Sequence, residues 1–285
     1  MVCILTDSTS ELSAARQAEL GVEVAPLTVH FGEETFRDGV DITNHAFYDR
    51  LRRAEALPVT AQVNPEEFVN RFRAHVEAGD EVVGIFLSSL LSGTFQSASI
   101  ARDIVDETHI FVVDSGAVTF GLGLLVEYAV MLRDQGRSAA RIAAEVQAIS
   151  GRVRLLAVVD TLKYLKMGGR ISGASAVLGG MLGITPILKV QHGVVEAAAK
   201  VRGRKAAFQW MDRRMEQERP DLTLPVAFGH SDAPAVLAEC RAHFVEKLGL
   251  TSWLESDIGS VVGTHAGPGA AGIAYFVKEK EERVR

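Results

Sequence analysis

The residues best suited to chemistry are hydroxyls that lie between an apolar run and a helical pattern. Residues 82–87 are apolar and partly β-branched, which predicts a buried strand, and the spacing over 94–104 predicts a helix. Ser92, Gly93 and Thr94 therefore lie at a helix N-terminus, where unpaired N–H groups and the helix dipole favour a carboxylate or phosphate. Ser92 is equally suited to be a plain N-cap, and the motif alone leaves both interpretations open.

Two further polar groups could join such an anion site. Thr60 and Gln62 stand just before a helix that begins at Pro65, in a segment that could face the same crevice. His265 lies in a Gly-rich segment near the C-terminus, and imidazole readily hydrogen-bonds a carboxylate near neutral pH. Residues of these types are also common in turns and caps, so each has a purely structural alternative.

Several catalytic and cofactor motifs are absent from the sequence. Gly267, Gly269 and Gly272 match the letters of a dinucleotide fingerprint, but no crossover helix with a later acidic residue can follow them. Ser92 and His265 could serve a lipid ester or acyl hydrolase, although no GxSxG elbow accompanies them. Cys3 and Cys240 have neither CxxC spacing nor a nearby histidine in sequence, so we expect no metal site, no cofactor and no redox dithiol.

Composition favours small-molecule or protein partners. The chain has 285 residues, 47% of them apolar, and a formal charge of −6, which argues against nucleic-acid binding. The opening residues show no secretory pattern, so we expect a cytoplasmic protein. Residues 174–190 are apolar but too short and too rich in Gly to span a membrane, which favours a place in the core. The basic residues at 200–205, Arg202 among them, form either a solvated surface or a docking patch.

The elements that position these residues predict two α/β units. Strand patterns at 2–5, 82–87 and 110–113 alternate with helical patterns at 65–77, 94–104, 118–133 and 138–149, which is typical of a mainly parallel sheet. After a strand at 152–159 come a hairpin over 187–201 and helices near 205–218 and 234–247, which predict an α+β unit with a mixed sheet. We therefore expect an N-terminal domain at 1–150 and a C-terminal domain at 151–285. Ser8 and Glu11 also have the spacing of a helix capping box.

Taken in order along the chain, these blocks resemble the DegV family over essentially its whole length. The resemblance rests on Thr6 to Ser8, Thr60 with Gln62, residues 87–98, Asp114 with Ser115, residues 161–172, residues 183–188 and residues 258–269. It implies two α/β domains that enclose a long-chain fatty acid in a tunnel between them, with the carboxyl group bound by Thr60, Ser92 and His265. Gly93, Thr94 and Gln62 would support this head-group site.

The resemblance also implies a protein without catalytic activity of its own. Some family members are the fatty-acid-binding subunits of bacterial fatty acid kinase, so a separate kinase is the expected partner, with Arg170 and Arg202 as docking candidates. Transient contact with a membrane is a further expectation. A lipid store or sensor without a kinase is a further alternative. Residues 174–187 are the candidate tunnel wall, since Gly allows close approach and Met181 can adapt to a ligand.

Overall fold

The computed structural model describes residues 1–172 and 183–279, which fold into three β-sheets with helices packed between and around them. The strands are, in chain order, β1 (Val2–Asp7), β2 (Val22–Ala25), β3 (Thr28–Phe31), β4 (Glu34–Arg37), β5 (Val59–Ala61), β6 (Glu81–Phe86), β7 (Ile110–Asp114), β8 (Val153–Val158), β9 (Ile184–Gln191), β10 (Val194–Arg202), β11 (Ala227–Ser231), β12 (Leu254–Asp257) and β13 (Ala270–Phe276). The α-helices are α1 (Ala14–Leu20), α2 (Asn44–Arg53), α3 (Pro65–Glu77), α4 (Thr94–Val105), α5 (Phe120–Asp134), α6 (Ala139–Ser150), α7 (Lys163–Met167), α8 (Arg204–Glu218), α9 (Pro234–Leu248) and α10 (Ser260–Ala266).

The first sheet has the order β2-β1-β6-β7 and is parallel throughout, as predicted. Its helix α3 begins where the sequence indicates, because Asn64 accepts a hydrogen bond from the N–H of Glu66 (3.0 Å) and Pro65 occupies the first turn. The predicted helices over 94–104, 118–133 and 138–149 agree with α4, α5 and α6 to within two residues at each end. The N-terminal half therefore has the predicted α/β architecture.

The second sheet has the order β10-β9-β8-β13-β11-β12 and is mixed, which confirms the predicted architecture of the C-terminal half. Its hairpin turns at His192 and Gly193, as expected. This turn contacts the first half, since Ser88 Oγ donates to the carbonyl of Gly193 (2.8 Å) and the N–H of Gly193 donates to the carbonyl of Gly116 (3.0 Å). The two halves are thus joined by hydrogen bonds as well as by packing.

Helix α5 lies at the centre of the molecule. It is apolar on most of its surface, and it contacts β1 and β6 of the first sheet and β8, β11 and β13 of the second. One continuous core therefore includes Ile4 and Val83 from one half together with Leu155 and Phe276 from the other. Each half has its own sheet, and we retain the division into domains at residues 1–150 and 151–285 as a proposal.

Two local features differ from the sequence-based expectation. A third, antiparallel sheet with the order β4-β3-β5 was not predicted, and it holds Thr60 on its edge strand β5. The capping-box interpretation of Ser8 and Glu11 is wrong. Ser8 begins a short 3-10 helix capped by Asp7 and accepts a hydrogen bond from the N–H of Leu27, while Glu11 contacts a distant residue.

Among the described residues, none of the helices combines the length and the apolar character needed to cross a bilayer. Residues 173–182, which make up most of the candidate tunnel wall and include Met181, lie outside the described residues. Of the remainder, Ile187 packs in the core of the C-terminal half.

Candidate functional site

A cavity of about 320 Å³ lies between the two halves of the chain. Its walls come from the loops after β5 and β6, the start of α5, strands β8, β9, β10 and β13, and helix α10. Most of these wall residues are apolar, and they include Leu27, Leu87, Leu91, Val118, Phe120, Leu155, Leu188, Val190, Val195, Ile258, Val261 and Ala271. The volume is within the range of about 300–1,000 Å³ that is typical of small-molecule sites.

Polar residues from distant parts of the sequence meet in the lining of this cavity. Thr60 and Gln62 come from the end of β5, Ser92 and Gly93 from the turn before α4, and His265 from α10. Helix α10 packs against β5, β3, α2 and α7, so the third sheet is what brings Thr60 to His265. Five of the six residues predicted to form a head-group site therefore line one cavity. Thr94 does not line the cavity but contacts a residue that does.

His265 contacts Thr60 directly. Its Nε2 lies 3.0 Å from Thr60 Oγ1, whereas Nδ1 is buried and has no hydrogen-bond partner among residues 1–172 and 183–279. Burial, together with the positive charge of Arg170, lowers the pKa of the imidazole to about 4, from the ordinary value of 6.5. The side chain is therefore neutral at pH 7, with one N–H to donate.

Close packing around His265 depends on a glycine. A Cβ at Gly168 would lie 2.1 Å from His265 Nδ1, so only a residue without a side chain leaves room for the ring here. The carbonyl of Gly168 accepts a hydrogen bond from Arg170 Nη1 (2.7 Å), which holds this guanidinium at the edge of the cavity. Gly168 and Arg170 therefore set the position and the charge environment of the imidazole.

The hydroxyl turn is ordered by local hydrogen bonds. Ser92 Oγ accepts a bond from the N–H of Thr94 (3.3 Å) and lies 3.0 Å from Thr94 Oγ1. Gln62 Nε2 donates to Ser97 Oγ (2.8 Å) across Gly93, where a Cβ would come within 2.0 Å of the Gln62 side-chain oxygen. The N-cap of α4 is Gly93, which has no side chain to cap the helix, so the interpretation of Ser92 as a plain N-cap is wrong. Ser92 lies one residue earlier and lines the cavity.

Exposure changes along the cavity. Phe120, Leu155 and Ala271 are buried, at 2%, 4% and 1% exposure, whereas Thr60 and Ser92 are only partly buried. Gln62 and Arg170, which also line the cavity, are exposed. The site therefore has an apolar interior and a polar end close to the protein surface.

Arg202, the second candidate for kinase docking, does not lie at the cavity. Arg202 is exposed at the end of β10, where it pairs with Ile184, and it is not part of the cavity lining. Its neighbour Arg204 forms an ion pair with Glu239 (2.7 Å). The structure thus places Arg170, but not Arg202, beside the polar cluster.

Two acidic residues that hold α10 were not found by sequence reasoning. Glu11 Oε2 accepts a hydrogen bond from the N–H of Gly259 (2.7 Å), and Asp38 Oδ1 accepts from the N–H and hydroxyl of Ser260 (2.7 and 2.6 Å). Burial, and next the charge of Asp38, raise the pKa of Glu11 well above its ordinary value. These carboxyl groups lie 248 and 222 residues from their partners, so no local pattern could have indicated them.

Ser92 and His265 do not form a hydrolase triad. Ser92 Oγ contacts Thr94, His265 Nε2 contacts Thr60, and within the described residues no carboxylate contacts Nδ1 to orient the ring. Gly267 and Gly269 lie in the turn between α10 and β13, and Gly272 lies within β13. A strand, and not a crossover helix, follows these glycines, so they do not form a dinucleotide-binding site.

Comparisons with known proteins agree with this architecture. A family model described as "Uncharacterised protein, DegV family" matches residues 1–278. A DegV domain-containing protein from Caldanaerobacter subterraneus is 38% identical over 280 residues, covering 98% of this chain and 99% of the relative. A DegV family protein from Thermus thermophilus, described as fatty-acid binding, has 33% identity and a TM-score of 0.87 over 97% of this chain and 99% of its own. A stearic acid-binding protein from Eubacterium ventriosum has 29% identity and a TM-score of 0.85 over 98% of this chain and 99% of its own. The chain described above is a member of the DegV family.

Proposed function

We propose that this protein binds one long-chain fatty acid, with the acyl tail in the cavity and the carboxyl group at Thr60, Ser92 and His265. The observation that carries the proposal is the gradient within one cavity, from a buried apolar interior to a partly exposed cluster of hydroxyls and a neutral imidazole. Gln62, Gly93 and Thr94 would support the head group by fixing the hydroxyl turn. The fatty-acid binding described for two structural relatives supports the same assignment.

In this proposal, burial of the acyl tail supplies most of the binding free energy, and hydrogen bonds to the carboxyl group orient the ligand. Burying about 15 methylene groups at about 0.8 kcal/mol each gives about 12 kcal/mol, from which the costs of association and ordering are subtracted. The head-group cluster supplies neutral donors rather than a buried arginine fork, so the carboxylate is held by hydrogen bonds and keeps its reactivity. This arrangement suits a carrier that must release its ligand or offer it for chemistry.

Native mass spectrometry of the purified protein, followed by solvent extraction, tests the proposal. We expect one long-chain fatty acid per chain, and rebinding of the acid by delipidated protein. The methyl ester of the same acid should bind more weakly, since it carries no ionised carboxylate, and Ser92→Ala with His265→Gln should reduce this preference for the acid. A protein that refuses added fatty acid, or a double variant with unchanged affinity and preference, would contradict the assignment.

We further propose that the bound carboxyl group is offered to a separate kinase that forms an acyl phosphate. Supporting this, the polar end of the cavity lies near the surface, and exposed Arg170 stands beside it as a docking candidate. Arg202 remains a second candidate, farther from the cavity. A kinase of this type requires ATP, which would put the partnership in the cytoplasm.

A reconstituted assay distinguishes the carrier from a store or an enzyme. The loaded protein alone should form no acyl phosphate and hydrolyse no acyl ester, whereas addition of a fatty acid kinase catalytic subunit and ATP should yield acyl phosphate. Arg170→Ala should lower the rate at saturating lipid more than Arg137→Ala, which changes an exposed arginine outside the cavity lining. Ester turnover by the protein alone would favour the Ser/His hydrolase, and binding without any transfer would favour a lipid store or sensor.

A further inference from the structure

Three metal-binding side chains meet at the first sheet. Cys3 Sγ lies 3.3 Å from His75 Nε2, which in turn lies 2.8 Å from Glu23 Oε2. One ligand atom from each residue falls within 4.8 Å of the other two. All three side chains are partly buried, so water and ions can reach them. None of these residues lines the proposed lipid site.

The fold fixes this meeting point. Strands β1 and β2 are parallel neighbours in which Leu5 pairs with Glu23, and Cys3, two residues before Leu5, points to the same face. Helix α3 covers that face and brings His75 from its last turn. Cys3 and His75 are 72 residues apart in sequence, which is why spacing along the chain did not indicate a metal site.

Outer contacts orient two of the three ligands. His75 Nδ1 lies 3.3 Å from Asp80 Oδ2, so a carboxylate holds the ring from behind while Nε2 faces Cys3 and Glu23. Arg71 donates to Glu23 Oε1, which leaves Oε2 directed at His75. A carboxylate behind a ligating histidine is the usual outer-shell arrangement in zinc sites.

We propose that Cys3, Glu23 and His75 bind one Zn²⁺ ion, with water completing a tetrahedral site. A thiolate and a carboxylate together balance the two positive charges of the ion, and the imidazole binds in its neutral form. Metal bonds of about 2.3 Å to sulfur and about 2.0–2.2 Å to nitrogen and oxygen separate the ligand atoms by about 3.3–3.6 Å. The sulfur–nitrogen distance of 3.3 Å and the nitrogen–oxygen distance of 2.8 Å are within about 0.6 Å of these separations, and the Cys3 and Glu23 ligand atoms lie within 4.8 Å of each other. The ion would join β1, β2 and α3.

Binding would release one proton from the thiol. Burial raises the pKa of the Cys3 thiol to about 12, so the metal-free side chain is protonated and unreactive.

Cobalt titration of the tag-free chain tests the site. We expect one Co²⁺ per chain, with a near-ultraviolet sulfur-to-cobalt charge-transfer band that one equivalent of Zn²⁺ removes. Cys3→Ser should lose the band, and Glu23→Gln should weaken binding at least tenfold. Cys240→Ala is the matched control, because Cys240 is also a free thiol but lies buried in the core of the C-terminal half.

A second measurement, of thermal stability, does not depend on the cobalt absorption band. Zn²⁺ should raise the unfolding temperature of the wild type and of Cys240→Ala, relative to EDTA, and should leave Cys3→Ser unchanged. Circular dichroism establishes that each variant is folded. The proposal is overturned if the wild type shows no charge-transfer band with Co²⁺ in excess, or if Cys3→Ser keeps the band.

Discussion

His265 is a histidine that the fold keeps uncharged. It is partly buried beside Thr60 and under the positive field of Arg170, and both burial and this field lower the pKa of its imidazole. The unfolded chain imposes no such penalty. The protonation of this one residue therefore couples the pH to the stability of the site.

The contribution of His265 to the free energy of unfolding of lipid-free protein should decrease as the pH falls from about 6.5 to about 4. In this window the unfolded chain binds a proton at His265 and the folded protein does not, because the folded pKa is about 4. The full effect of this residue is about 3 kcal/mol, since one pKa unit corresponds to about 1.4 kcal/mol. Urea unfolding at pH 7 and pH 4.5 would measure it, and His265→Gln should lack this part of the pH dependence.

Buried carboxyl groups change the free energy of unfolding with pH in the opposite direction to His265. The effect of His265 must therefore be measured as the difference between the wild type and His265→Gln. Burial raises the pKa of Asp7 to about 6, so the folded protein binds that proton first and gains stability as the pH falls through 6. Wild type and His265→Gln share this contribution, and their difference isolates the histidine. Identical pH profiles in the two proteins would show that the folded state does not hold His265 neutral.

Gly168→Ala should weaken fatty-acid binding at least tenfold, or by about 1.4 kcal/mol. The backbone at Gly168 has a φ of −80°, which alanine adopts without strain, but the new methyl group would displace the His265 ring from Thr60. Titration with a fluorescent fatty-acid analogue would measure the affinity. Gly151→Ala is the control, since Gly151 has a φ of −63° and open space around its Cα. Equal losses in both variants would refute the proposed crowding.

At this scale, sequence reasoning identified residue types but not contacts. Thr60, Ser92 and His265 were selected by their chemistry and by family resemblance, and they line one cavity. Their neighbours could not be inferred, because the Thr60–His265 contact spans 205 residues and the fit against Gly168 depends on packing.

Among the elements, α10 depends most on its surroundings. It has seven residues, one of them Gly263, and a helix this short is not stable alone. Its first N–H groups are bound by Glu11 and Asp38 from the N-terminal half. These two carboxyl groups therefore hold the helix that carries His265.

Asp38→Ala should lower the free energy of unfolding by about 1–3 kcal/mol, because the buried N–H and hydroxyl of Ser260 lose their acceptor. It should also weaken fatty-acid binding, since α10 is released near His265. Asp103→Ala, which removes an exposed ion pair with Arg102, should change stability by less than about 1 kcal/mol. Chemical unfolding and ligand titration would measure both. Unchanged fatty-acid binding by Asp38→Ala would show that the position of α10 does not depend on the hydrogen bonds from Ser260 to Asp38.

Elements with strong local signals were predicted well, and those without them were not. Helix α3 has Asn64 and Pro65 at its start, and its predicted bounds are those observed. Strands β3, β4 and β5 have only three or four residues each, and α10 is too short to show helical periodicity. These elements are stabilised by packing between distant segments, so propensity and pattern carry little information about them.

Across the whole molecule, the shared core predicts that both halves unfold together. Both tryptophans, Trp210 and Trp253, lie in the C-terminal half, so their fluorescence reports on that half while far-ultraviolet circular dichroism reports on the entire chain. The two signals should give one urea midpoint, because α5 packs against both sheets. A fatty acid at 100 times its dissociation constant should raise the free energy of unfolding by about 2.7 kcal/mol and move the midpoints of both signals to the same higher urea concentration. Separate midpoints would indicate independently folding halves.

The walls of the cavity come from both halves of the chain, and this bears on how fast a lipid bound there would exchange. Leu27 and Leu87 come from one half, and Leu155 and Leu188 from the other, so an occupant is enclosed by side chains that belong to both. On the proposed function, an acyl chain in this cavity contacts side chains of both halves, so we expect its residence time to depend on how often these walls separate locally. On the same proposed function, we expect a partner that loosens the contacts between the halves to speed release of the acyl chain without competing for its binding site.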